Sequence, residues 1–337
     1  MKSLYLLLFT ALASAQDCLD SPLIRRIPPS TADPSNPNPP YITVNYFVYS
    51  SDVPHLVIPP SESDTILKVF LPGTAKAPQE ASCLLTSIGS TTIGLSYAFL
   101  DSSDAARNEA CAARHGYSGK PYQNCLVHQH VDAVWGGLLE EPGLWQFIER
   151  RDSIEGRLTA LLQYLHEQYP TEGWDNYIRV VPGHHDQTSP NWDRIWILGH
   201  SQGAGHAGFL AQSIPLAGAG LLSGPQDDCG SDDCWISEPW ETSDVRVFAH
   251  AGEGAINIIT ENWKRMNVFE STEPSVDSLI PGRPWITSLE PQANAICTPL
   301  QANHRSVALD FNAPIETTAA GRVYVYSEHV WPMLAGM

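Results

Sequence analysis

The chain has 337 residues, of which 43 % are hydrophobic and 17 % charged, with 24 Gly and 27 Pro. That composition belongs to a globular protein and excludes a coiled coil, a collagen-like rod and a long disordered chain. Acidic residues outnumber basic ones 37 to 19, for a formal charge of −18. Such a surface repels phosphate backbones and anionic lipids, which argues against a nucleic-acid partner and against polybasic docking on a membrane.

The first predicted segment is an address. Lys2 precedes the apolar run 4–13, and Ala13-Ser14-Ala15 follows it, the pattern of a secretory signal peptide cleaved near Ala15. The run is shorter than the ~20 residues that span a bilayer, and no later stretch is long and apolar enough, so a secreted, soluble product is expected. In an exported chain seven cysteines read as disulfides before metal ligands. Cys229 and Cys234 close a short loop, and Cys111 and Cys125 staple one insertion. Cys18, Cys83 and Cys297 leave one pair and one odd thiol, with the choice open. No Asn-x-Ser/Thr sequon occurs, so N-glycosylation is not expected.

Residues 16–40 carry six prolines between Pro28 and Pro40 and predict an extended, irregular lead-in. Short apolar runs at 41–49, 55–58, 65–71, 92–99, 194–198, 217–222, 245–249 and 284–288 read as strands. The clearest helix follows Asp152, predicted as its cap with Glu155 in the reciprocal position. Ile154, Leu158, Leu161, Leu162 and Leu165 share one face of it. Further helices are expected at 78–87, 202–213, 255–266 and 330–334. Strands alternating with helices predict an α/β fold with a mostly parallel central sheet flanked by helices. With no internal repeat and no linker after residue 40, residues 41–337 read as one domain. Residues 101–143 break the rhythm and are expected to form an insertion or lid over one end of the sheet.

Gly199-His200-Ser201-Gln202-Gly203 carries the chemistry. It stands between the strand-type run 194–198 and a helix that opens with small residues, Gly203-Ala204-Gly205, which is the strand–turn–helix setting of a nucleophile elbow. A serine at the tip of so tight a turn needs small residues two positions away on each side. The turn lifts the Ser201 hydroxyl above the sheet and sets the Gln202 N–H beside it, at the positive end of a helix.

With these residues the chain resembles the α/β-hydrolase superfamily over roughly 60–335, and within it a little-characterised group of secreted serine hydrolases. Phe70-Leu71-Pro72-Gly73-Thr74, the run from Gly199 to Ala207, and Ser223-Gly224-Pro225 carry the likeness. The resemblance implies a serine hydrolase with the order Ser, acid, His along the chain. Only His304 and His329 lie beyond the acid candidates; His304 is favoured as the base, in a loop after the last strand. Glu253 after the strand at 245–249 is favoured as the acid, with Asp227 and Asp228 as alternatives one strand earlier. The oxyanion hole is assigned to the N–H groups of Gln202 and of Gly73 or Thr74.

The expected reaction is hydrolysis of a small carboxylic ester or lactone through an acyl-enzyme, without a cofactor. An imidazole base with an ordinary pKa near 6.5 predicts activity lost below about pH 6. Acyl transfer, peptide cleavage, a metabolite-specific biosynthetic role and a silent binding module are the alternatives, and the oligomeric state is open. His128-Gln129-His130 and His184-His185-Asp186 lack a partner at zinc spacing and read as polar surface, so no metal is predicted. Trp135 and Trp145 are weaker candidates for a substrate pocket.

Overall fold

The computed structural model describes residues 18–36, 43–44, 47–48, 53–61, 64–74, 76–89, 91–98, 104–137, 148–181, 184–230, 234–268, 285–292, 297–318 and 321–337. The segment predicted as a signal peptide lies outside them. At the centre is one eight-stranded sheet. Its strands are β1 (Arg25–Ile27), β2 (His55–Ile58), β3 (Leu67–Leu71), β4 (Thr92–Gly94), β5 (Ile195–His200), β6 (Gly218–Leu222), β7 (Val245–His250) and β8 (Trp285–Thr287). They lie in the order β1-β2-β4-β3-β5-β6-β7-β8. β2 runs antiparallel to both of its neighbours and every other pair is parallel.

The helices are α1 (Pro29–Ala32), α2 (Ser82–Ser87), α3 (Asp104–His115), α4 (Lys120–Trp135), α5 (Ile154–Gln168), α6 (Gln202–Ser213), α7 (Ile256–Arg265), α8 (Pro299–Ser306) and α9 (Val330–Leu334). Helices cover both faces because the strands are apolar on both. Ile195 and Ile197 share a buried cluster with Leu158 and Leu161 of α5 and Leu210 of α6. Trp196 and Leu198 share another with Leu85 of α2 and with Trp331 and Leu334 of α9. Alternate residues of one strand thus feed opposite layers, as the period of two requires.

α5 buries all five aliphatic side chains predicted for its inner face, each contributing ~2 kcal/mol. Its cap differs from the expectation. Ser153, not Asp152, accepts the Gly156 N–H, at 3.1 Å. Asp152 is buried and spends its carboxylate on Arg157 at 3.1 Å and Asn36 at 2.8 Å, while Glu155 pairs with Arg150. A long-range partner outcompetes the local cap.

Two more expectations change. The irregular lead-in supplies edge strand β1 and is tied to α2 by the Cys18–Cys83 disulfide. The predicted strand at 41–49 is instead a pair of two-residue strands, Thr43–Val44 against Phe47–Val48. The described part of 101–143 is helical: α3 and α4, joined by Cys111–Cys125. Cys229–Cys234 is the third disulfide, and Cys297 is the free thiol. Among the described residues no helix is long and apolar enough to cross a membrane.

The parallel strands β3, β5, β6 and β7 lie side by side, so the loops after Leu71, His200, Leu222 and His250 emerge together. In open parallel sheets this carboxyl edge is where ligands bind.

Candidate active site

Ser201 stands between β5 and α6 with φ 55° and ψ −122°, a region that L-residues avoid and that here has to be held by its surroundings. Two glycines make the turn sterically possible. A Cβ on Gly199 would lie 2.1 Å from the Gly203 carbonyl oxygen, and one on Gly203 would lie 2.2 Å from the Leu71 carbonyl oxygen. The turn is pinned from the next strand, since the Ser201 N–H donates to the Leu222 carbonyl at 2.9 Å.

The loop after β3 approaches equally closely. A Cβ on Gly73 would sit 2.8 Å from Ser201 Cβ and 3.0 Å from the His200 carbonyl oxygen, so only glycine lets this backbone lie against the elbow. Gln202 Nε2 donates to Thr74 Oγ1 at 2.9 Å, and the Tyr97 hydroxyl donates to the Pro72 carbonyl at 2.8 Å. The structure therefore brings Gln202, Gly73 and Thr74 to Ser201.

His304 is not in a loop. It lies in α8, which Thr298 and Gln301 start with a reciprocal capping box, and the prolyl residue at 299 favours that start. His304 Nδ1 lies 2.6 Å from Glu253 Oε2, and the Glu253 side chain is wholly buried. An ionised carboxylate only accepts, so the imidazole donates from Nδ1 and leaves Nε2 as an acceptor. The other carboxylate oxygen accepts from the Ser223 hydroxyl at 3.0 Å and from the His250 N–H at 3.4 Å. Asn303 Nδ2 donates to the Gly252 carbonyl at 2.8 Å, locking α8 to the loop that carries Glu253.

Ser201 and His304 line one cleft of about 220 Å³. Among the described residues no hydrogen bond joins them directly, and such bonds commonly tighten only when substrate arrives. Gly73, Thr74 and His200 lie on the same cleft, as do Lys76, Gln226, Gln301 and Arg305. These last four were not legible as site residues, since they sit at unremarkable positions on three separate segments.

His200 was read only as the variable residue of the elbow, yet it ties the elbow to α8. Its Nε2–H donates to the His304 carbonyl at 2.9 Å, and the two rings are 4.9 Å apart. Burial, reinforced by His304, Lys76 and Arg305, pushes its pKa well below the ordinary histidine value, so it stays neutral and acts as a strut.

The alternative residues fall elsewhere. Asp227 is buried against His130 Nε2 at 2.8 Å and accepts from the Trp235 indole at 2.8 Å. Burial acts to raise its pKa, but His130 and Trp235 outweigh that and hold it below the usual carboxylate value. Asp228 accepts the Gly230 N–H at 3.3 Å, and exposed His329 precedes α9; neither touches His304. His130, expected on the surface, is buried: α4 carries it inward against Asp227 and within 3.0 Å of His206 Nδ1. Trp135 packs edge-on against Trp192, outside the cleft. Trp145 and the side chains of His184, His185 and Asp186 lie outside the described residues. Among the described residues no three His, Cys, Asp or Glu side chains group as a metal site.

Comparison with protein-family models, with curated proteins and with solved structures finds no match to this chain.

Proposed function

We propose that the chain is a serine hydrolase of α/β-hydrolase type, cleaving a small carboxylic ester or lactone. The observation that carries this reading is the convergence on one cleft of a strained, glycine-flanked Ser201 and a His304 held at 2.6 Å by buried Glu253. The chain order of these three residues is that of the superfamily, and the loop after the third strand stands where its second oxyanion donor is drawn from.

Ser201 Oγ attacks the carbonyl carbon while His304 Nε2 takes the hydroxyl proton. Glu253 keeps the Nδ1–H tautomer and stabilises the imidazolium. The Gln202 N–H and that of Gly73 or Thr74 receive the oxyanion. His304 returns the proton to the leaving alcohol, and water then releases the acid from the acyl-enzyme by the same steps. Secretion of the mature chain fits the three disulfides, which persist in oxidising compartments.

The test is intact-mass analysis after treatment with a fluorophosphonate, comparing the wild type with Ser201→Ala. A single adduct on the wild type and none on the variant is expected. A folded wild type that takes no adduct would overturn the reading.

A further inference from the structure

The cleft at Ser201 is walled by polar groups. Among its described lining residues there is no Val, Leu, Ile, Met, Phe, Tyr or Trp; the side chains that surround Ser201 and His304 are those of Thr74, Lys76, His200, Gln226, Gln301 and Arg305. An alkyl chain entering it would meet only the methyl of Thr74, the methylene stems of the long polar side chains and imidazole carbons, and would strip water from two cations without replacing it. The cations are themselves informative, because the chain carries 37 acidic and only 19 basic residues and yet no described acidic residue lines this cleft. Glu253 contacts it only through His304, its own side chain being wholly buried.

The two cations are not equivalent. Lys76 Nζ is paired with Glu80 at 2.8 Å, which cancels most of its field at a distance. Arg305 Nη1 donates to the Cys297 sulfur at 2.9 Å, and among the described residues no carboxylate pairs with the guanidinium. The cleft therefore presents about one uncompensated positive charge, and that matches a monoanion better than a dianionic phosphate. A planar guanidinium also suits a carboxylate, which it can hold through two parallel hydrogen bonds.

We propose that the ester cleaved at Ser201 is short and polar and carries one carboxylate, bound by Arg305 with Lys76 beside it. The proposal rests on the hydrolase reading above. It places specificity in charge rather than in chain length.

The test compares two ethyl esters of the same shape, monoethyl succinate and ethyl 4-methylpentanoate, with hydrolysis followed by NMR. The wild type is expected to favour monoethyl succinate at least tenfold in kcat/KM. That ratio is expected to fall at least tenfold in Arg305→Gln and to fall in Lys76→Gln, and to shrink in 0.5 M NaCl as the charges are screened. Should Arg305→Gln fail to fold, the wild-type ratio, its salt dependence and Lys76→Gln carry the test. A fluorophosphonate adduct at Ser201 with equal use of the two esters, or preference for the hydrocarbon one, overturns this proposal and leaves the hydrolase reading standing. No adduct and no turnover of either ester overturns both.

Discussion

Replacing Glu253 by Gln separates the chemistry of the buried carboxylate from its structural part. In the wild type one oxygen holds His304 Nδ1 at 2.6 Å, while the other accepts from Ser223 at 3.0 Å and from the His250 N–H at 3.4 Å. A glutamine of the same length can keep its carbonyl oxygen on Ser223 and His250, which puts its NH2 against His304. The imidazole must then accept at Nδ1, carry its proton on Nε2, and so lose the lone pair that in the proposed mechanism takes the serine proton. The imidazolium formed later also loses a counter-charge that buried surroundings do not screen. Together these predict a fall in kcat on the order of 10⁴-fold, or about 5.5 kcal/mol of transition-state stabilisation. The cost to folding is on the order of 1 kcal/mol, that of weakening one charge-assisted hydrogen bond. Ester turnover and the rate of fluorophosphonate labelling measure the first quantity, and urea denaturation the second. A variant that labels and turns over within tenfold of the wild type, while unfolding at the same urea concentration, would refute the assignment of Glu253 as the acid.

Asp227→Ala is expected to show the opposite split. It strands the buried His130 imidazole and Trp235 N–H, costing about 3–5 kcal/mol of stability, while the protein that remains folded still labels at Ser201; urea melts beside labelling rates check this. Gly73→Ala forces a Cβ to 2.8 Å from Ser201 Cβ and shifts the proposed oxyanion donor, so kcat should drop about 10²–10³-fold with KM little changed, read from steady-state kinetics. Asp310→Asn addresses pH. Burial raises the Asp310 pKa to about 7 against the Ser82 and Cys83 hydrogen bonds that oppose it. An acid with a raised folded pKa binds more protons folded than unfolded, so its contribution is fully present below about pH 4 and is lost as pH rises towards 7, by about 4 kcal/mol in all. The variant should flatten stability against pH across that window, and an unchanged slope in urea melts at pH 4, 5.5 and 7 would count against it.

What the sequence alone determined is local. Short continuous apolar runs mark the parallel strands and a period-3.6 apolar pattern marks the buried face of α5, because each residue's fate there depends on near neighbours in the chain. The elbow is legible for the same reason, since Gly199 answers to the Gly203 carbonyl four residues on, although Gly203 itself is demanded by the distant Leu71 carbonyl. Contacts between distant segments leave no such trace. Asp227 and Glu253 both follow strands of the central sheet and look alike in sequence. They are told apart only by which histidine the fold delivers, His130 from α4 to the first and His304 from α8 to the second. The Cys18–Cys83 pairing, the engagement of Asp152 by Asn36, and the entry of residues 25–27 into the sheet are likewise set by partners far along the chain. The polar lining of the cleft belongs to the same class. Lys76, Gln226 and Arg305 become one surface only when the loops after β3 and β6 and helix α8 converge on the carboxyl edge of the sheet, and it is the packing of parallel strands side by side that makes them meet.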